Sequence, residues 1–348
     1  MNKQIKRIFL LVLLLTCREL EAQEIDNLVF EGAGIRGIAY CGGLMELEER
    51  GLLSTVKRVG GTSSGAITAC LVSVGYSPKE IDEVIGNTDF SEFNDGRGIF
   101  IGGFHRMKKR MGYYKGQRFE KWFEALINAK TGDANLTFEE LKNRHQSNPL
   151  LYKELVVTAM SLNQQSSLIF HAGTFPKMRI VDAVRASMAI PYYFEPVVID
   201  QTGKRKPFKE MNNHDHLCVD GGFMTNFPIY IFDFPPFCNG DFPADHRSCN
   251  AATLGMRIDT DTQIAMDKHN QVLAPIHIED MKDYSVAFYT VIKESMNRNM
   301  LIEEDWERTA SISDCNIGPK VRKLKEEEKK VLIEAGRKAV KEKLDELD

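Results

Sequence analysis

The chain has 348 residues, 43% of them hydrophobic, enough to bury a large core and suited to one α/β enzyme domain with insertions. Its formal net charge of −4 is mild, which excludes a whole-chain field that would recruit nucleic acid. Lys3, Lys6 and Arg7 precede the apolar run Ile8 to Leu15. That run is too short to span a bilayer, and a positive head before a short apolar segment reads as a secretory signal. Leu20-Glu21-Ala22 offers a cleavage site, so residues 1–22 are expected to be a leader and 23–348 the folded domain. The alternative is a lipoprotein leader ending before Cys17, which Thr16 disfavours. Export to the periplasm, the outer envelope or the medium is the expectation, with Cys17 anchoring as the lesser form.

Apart from Cys17 there are six cysteines. Cys41 and Cys70 fall in predicted buried helices and Cys218 in a predicted strand, where packing is their role. Cys238 and Cys249 flank a polar, proline-containing loop and would join in an oxidising compartment. The sequence contains no Cys-x-x-Cys pair and no His/Cys cluster at zinc spacing, so neither a metal nor a cofactor is expected.

Ile25 to Phe30 predicts the first strand, followed by Glu31-Gly32-Ala33-Gly34-Ile35-Arg36-Gly37. Ile38, Cys41, Leu44 and Met45 then repeat at helical spacing up to Gly51, a C-cap. Gly32, Gly34 and Gly37 have the spacing of a dinucleotide loop. That use requires an acidic residue at the end of the second strand to hold the ribose. The second strand, Val56 to Val59, instead runs straight into Gly61-Thr62-Ser63-Ser64-Gly65, and the dinucleotide reading fails. The competing use of the loop is an oxyanion hole, in which small residues let backbone N–H groups approach a developing negative oxygen. A tight turn without ligand is the plain alternative.

Gly61 to Gly65 stands between that strand and an apolar stretch, Ser64 to about Val74, which predicts a buried helix. Strand, sharp turn and helix in this order make a nucleophile elbow. Gly61 and Gly65 allow close packing, and Ser63 is pushed out at the top of a sheet. The N–H groups at the helix start, from Ser64 onward, then face charge that develops beside Ser63.

Ser77-Pro78-x-Glu80 opens a helix to about Ile85. The insertion at about 90–118 mixes Phe90, Phe93, Phe100, Phe104, Tyr113 and Tyr114 with Arg106, Lys108, Lys109 and Arg110. Such a segment suits an anionic membrane surface, a cap over an active site, or an ordinary solvated insertion. Phe119 to Ile127 is amphipathic, and Thr137-x-x-Glu140 has the capping-box form. Leu155 to Met160 and Ser167 to Phe170 predict strands around Asn163-Gln164-Gln165, and Asp182 to Ile190 a helix ended by Pro191. Val197 to Ile199, Leu217 to Val219 and Thr253 to Ile258 are further strands, and Met281 to Leu301 a helix of mixed faces. The tail, about 322–348, alternates charge signs around a sparse apolar stripe, a packed helix rather than a nucleic-acid arm.

A serine nucleophile requires a base and oxyanion donors. None of the eight histidines stands in a recognisable triad setting. Asp220, at a strand end before Gly221 and Gly222, is the alternative base, and it would depend on a shielded site to raise its pKa.

Three stretches in order, Gly32-Ala33-Gly34-Ile35-Arg36-Gly37, Gly61 to Gly65 and Asp220-Gly221-Gly222, resemble the patatin-like phospholipase pattern. Arg185 to Pro191, Phe194, Pro196, Asn226 and Pro228 fit the same family, and the resemblance covers roughly Leu28 to Pro228. It implies a three-layer α/β/α fold with a mainly parallel central sheet and a metal-free Ser–Asp dyad that hydrolyses acyl esters of lipids. Carried over, Ser63 is the nucleophile and Asp220 its base. The backbone from Gly32 to Gly34 supplies oxyanion donors, and Arg36 steadies the loop or meets a lipid phosphate. The implied substrate is a phospholipid or other acyl lipid, with transient membrane-surface contact. Glu31 stands where many members have Asp, and Ala33 where glycine is common. The readings that compete with hydrolysis are a broad esterase or acyltransferase and a silent lipid-binding or envelope-assembly module.

Overall fold

The computed structural model describes residues 24–96, 99–237, 247–269 and 272–347. The expected leader, Cys17 and Cys238 lie outside these residues, and so does the expected Cys238–Cys249 pairing. In chain order the strands are β1 Asn27–Phe30, β2 Arg58–Thr62, β3 Gly112–Tyr114, β4 Glu154–Ser161, β5 Ser166–Phe170, β6 Tyr192–Phe194, β7 Val197–Ile199, β8 Arg205–Lys206, β9 His216–Asp220, β10 Thr253–Asp259 and β11 Thr309–Ser313. Nine of them form one sheet. Its parallel half runs β11-β10-β1-β2-β4, and its antiparallel part is made by β5 on β4 and by β9-β7-β8. β3 and β6 make a separate parallel pair.

β1 is buried at all four residues, as a strand covered on both faces must be. Its side chains alternate between two cores. Leu28 and Phe30 join the large cluster with the helices, while Val29 joins Val156, Phe227, Ile229, Ile231 and Phe232 on the opposite face. The large cluster holds residues of the helices Ala39–Glu49, Ser64–Ser73, Gln117–Thr131, Ile180–Ser187 and Glu326–Leu347. The other face is covered more thinly, by Phe227 and the turn Ile229–Phe232. The three layers are therefore unequal. The terminal helix buries Leu332, Gly336, Val340 and Leu344, the narrow stripe the tail predicts. Among the described residues no helix is long and apolar enough to cross a membrane.

Two expected boundaries move. The second strand begins at Arg58 rather than Val56 and continues through the glycines to Thr62, because pairing to both β1 and β4 overrides glycine's poor strand propensity. The helix expected to reach Ile190 stops at Ser187, and Met188 to Ile190 turn the chain ahead of Pro191.

β4 decides where the site forms. β5 pairs with Val157 to Ser161 along one edge, which leaves the other edge to β2 and β9 together. β2 pairs as far as Thr62 with Thr158, and β9 begins at the next position, Asp220 with Ala159. The two strands meet end to end, and Ser63 leaves the sheet where Asp220 arrives.

Candidate active site

The last residue of β2 is pinned by its hydroxyl. Thr62 donates to Thr225 O at 2.5 Å and lies 2.5 Å from Thr158 Oγ1. The next residue, Ser63, takes φ 53° and ψ −120°, a conformation that costs on the order of 1–3 kcal/mol unless the surroundings impose it. Here they do, since the Ser63 N–H donates to Ser187 Oγ at 2.8 Å and the buried helix Ser64–Ser73 starts at once. A Cβ on Gly65 would run into the carbonyl oxygen of Phe30, and one on Gly61 would come within 2.6 Å of Gly65 C. Both glycines let the elbow press against β1.

Asp220 ends β9 with 7% of its surface exposed. Its carboxylate accepts the Gly222 N–H at 2.8 Å and faces the Ser63 hydroxyl. Burial pushes its pKa up to about 6, against the pull of the Ser63 hydroxyl, the Gly222 N–H and the Lys293 charge. The titratable group that β9 brings to Ser63 is a carboxylate, while His145, His171 and His216 are held by other partners. His216 lies 3.0 Å from Ser161 Oγ, and burial holds His171 down at about 4.

The glycine-rich loop is tied at both ends. The Glu31 carboxylate accepts the Ile258 N–H at 2.9 Å and Asn226 Nδ2 at 3.0 Å, and it faces Arg257 Nε at 3.4 Å. Burial raises its pKa despite that arginine. Arg36 donates Nε to Ala33 O and pairs Nη1 with Asp314 Oδ2, each at 3.2 Å, so it steadies the loop. The expectation of oxyanion donors from Gly32 to Gly34 requires correction at its first two members. Gly32 N–H is turned to Asn226 O at 3.0 Å, and Ala33 N–H to Ser64 Oγ at 2.9 Å. Gly34, at φ 59°, opens a 3₁₀ turn to Ile38, and the first N–H groups of such a turn have no acceptor within it. Gly34 and Ile35 line the same cleft as Ser63 and Ser64. Gly37 packs behind them, where an added Cβ would sit 3.1 Å from Ser64 Cβ.

That cleft, about 60 Å³, is walled by Ile67, Phe90, Phe93, Met188, Ile190 and Phe194. Phe194 also lines a neighbouring apolar cleft of about 370 Å³ with Met111, Tyr192, Val219 and Phe223. Of the three readings of the Phe90–Tyr114 segment, its first part follows the cap, because Phe90 and Phe93 pack on Trp122 and Phe119 and close the cleft over Ser63. Arg106 is buried with Nε on Tyr113 O at 2.9 Å, whereas Phe104 faces solvent. Among the described residues no group of three or more His, Cys, Asp or Glu gathers in a way that would hold a metal ion.

Asn297 is the participant that sequence reasoning missed. Its Oδ1 accepts the Asn226 N–H at 2.5 Å, and its Nδ2 donates to Gly222 O at 3.1 Å and to Lys293 O at 2.8 Å. One side chain thereby joins the helix Met281–Arg298 to the turn after Asp220 and, through Asn226, to the glycine loop. The signal was a polar i, i+3/i+4 stripe, Thr290, Glu294 and Asn297, along one side of a helix of mixed faces. Ser187, which anchors the elbow, lies in the Arg185–Pro191 stretch that fits the family pattern, but nothing in that stretch marks its contact with Ser63.

The sequence signature described as patatin-like phospholipase matches residues 28–233, which contain both Ser63 and Asp220. YqhO of Bacillus subtilis (strain 168) is 33% identical over 208 residues, 59% of this chain and 65% of that protein. The probable lipid hydrolase 463L of Invertebrate iridescent virus 6 is 26% identical over 212 residues, 61% of this chain and 64% of that protein. The alignments thus span a little under two thirds of these relatives. The crystal structure of VipD from Legionella pneumophila superposes with a TM-score of 0.53 at 17% identity, over 93% of this chain and 67% of that one, a likeness of fold alone. With a signature that spans more than half of its residues, the chain belongs to the patatin-like phospholipase family.

Proposed function

We propose that the protein is a lipid acyl hydrolase of the phospholipase A or lysophospholipase type, working through Ser63 and Asp220. The observation that carries this reading is the end-to-end meeting of β2 and β9 along β4, which sets the Ser63 hydroxyl against the buried Asp220 carboxylate. Ser63 Oγ attacks the ester carbonyl carbon as its proton passes to Asp220. The N–H groups of Gly34 and Ile35 face the oxygen that becomes negative. Asp220 returns the proton to the leaving alcohol, and Ser63 remains acylated. Water then attacks the acyl-enzyme, gives its proton to Asp220, and releases the fatty acid as the Ser63 hydroxyl is restored. A base with a pKa of about 6 is ionised at neutral pH yet basic enough to share in the transfer. The apolar clefts that meet at Phe194 suit acyl chains.

A serine-directed fluorophosphonate should label the protein, and Ser63→Ala should abolish labelling together with fatty-acid release from phosphatidylcholine. Labelling that survives the substitution refutes the assignment. Absence of any ester cleavage by the unmodified chain would favour a silent lipid-binding module. The basic head and short apolar run within residues 1–22 support export of the enzyme, and the N-terminal sequence of the mature protein tests it.

A further inference from the structure

The helix Met281–Arg298 is amphipathic the wrong way round for a helix of a water-soluble core. Its inward stripe is polar. Asn297 holds Gly222 and Asn226, Glu294 lies 3.5 Å from Arg257, and Arg298 pairs with Asp267 at 2.8 Å. Its outward side carries Met281, Tyr284, Phe288, Val291 and Ile292, which are between 44% and 76% exposed. The Tyr284 and Phe288 rings stack on that side with centroids 6.5 Å apart. Ile276 and Ile278 on the approach to the helix are exposed as well. Scattered surface apolars are ordinary, but a continuous run over an 18-residue helix marks an interaction surface.

We propose that this face seats the protein on a zwitterionic lipid surface, an inference that rests on the hydrolase reading above. Continuity with the site points to lipid. Tyr289 meets Phe223 edge to face at 5.6 Å, and Phe223 lines the larger apolar cleft, which shares Phe194 with the cleft at Ser63. A bilayer against this helix therefore lies one ring away from the cleft that takes the acyl chain. Charge selects the kind of surface. In the sequence Glu279, Asp280 and Asp283 outnumber Lys282 at the start of the helix, and Lys293 and Arg298 are engaged with Glu294 and Asp267 on the inner side. A face with that balance gains nothing from an anionic leaflet. Seating would also hold Asn297, and so the turn after Asp220, in place.

The test uses the full chain carrying Ser63→Ala, so that binding is read without turnover, and phosphatidylcholine vesicles in a sedimentation assay. The parent should sediment with the vesicles. Adding Phe288→Ser and Val291→Ser should weaken partitioning about tenfold or more, with an unchanged far-UV circular dichroism spectrum. Met281→Ser with Tyr284→Ser is a second, independent pair and should do the same. Phosphatidylserine in the vesicles should not tighten binding. The proposal is overturned by a parent that stays in the supernatant, by variants that bind as well as the parent, or by binding that depends on anionic lipid. It is also overturned if the substitutions dissolve a dimer on gel filtration while leaving vesicle binding intact. In the Ser63 background, hydrolysis of soluble p-nitrophenyl butyrate should persist in both pairs. Loss of that activity in the unmodified chain refutes the hydrolase reading, whereas vesicle binding stands or falls separately.

Discussion

Replacing Asp220 with Asn separates what the buried carboxylate does for chemistry from what it costs the fold. Its pKa rises from 3.8 to about 6, chiefly because burial penalises the charged form. The folded state therefore holds this proton more tightly than the unfolded chain does. The stability linked to it is fully present below about pH 4 and is lost as the pH climbs past 6. A shift of about two pH units is worth roughly 3 kcal/mol, so at pH 8 the ionised group burdens the native state by about that amount. Asparagine has the same shape and does not titrate. Its own mismatch with the Gly222 N–H and the Ser63 hydroxyl is a constant offset, which cancels when two pH values are compared. Chemical denaturation of wild type and Asp220→Asn at pH 4 and pH 8 should show the variant gaining about 3 kcal/mol relative to wild type on going to the higher pH. Ester hydrolysis by wild type should rise with pH through about 6 and level off, while the variant falls by about 10²–10⁴-fold. Stability differences that stay parallel across pH would refute the raised pKa. An Asn variant that keeps wild-type turnover would refute the role of the carboxylate.

Gly34→Ala should lower kcat by about 10²–10³-fold with little change in KM for a soluble ester, since φ is 59° there and an added Cβ would lie 2.5 Å from Pro319 O. Steady-state kinetics decide it. Gly65→Ala should destabilise the fold by about 1–3 kcal/mol or more, because its Cβ meets the rigid backbone of β1 rather than a yielding side chain, and thermal unfolding reads this directly. Arg257→Met leaves Glu31, Asp259 and Asp267 without the cation they share. It should cost about 3–5 kcal/mol in urea denaturation.

Local signals survive into the structure wherever neighbouring residues carry the whole physical argument. Ser77 with Glu80 and Thr137 with Glu140 form reciprocal caps, since a capping box is complete within four residues. Gly51 takes the left-handed conformation just past its helix, as the cap requires. β11 is barely legible in this way, because the alternation of Thr309-Ala-Ser-Ile-Ser313 spans only five residues with a single large apolar side chain, and pairing with β10 makes it a strand. The pairing of β3 with β6 is equally non-local, joining short segments that carry no strand pattern of their own.

The site divides along the same line. Ser63 in its elbow and Asp220 before its glycines are each legible, because a strained turn and an Asx turn announce themselves in the residues that make them. Their meeting is not, since it depends on β9 running antiparallel to β4 and taking up the edge where β2 stops. A β9 slipped by one residue along β4 would turn Asp220 to the opposite face of the sheet. The same limit misplaces the oxyanion donors. Gly32 and Ala33 have the right sequence, but their N–H groups answer to Asn226 and Ser64, partners that only the folded chain supplies. Small residues in the loop therefore show that backbone can approach a substrate, while the identity of the free donors is set by what the rest of the fold has already engaged.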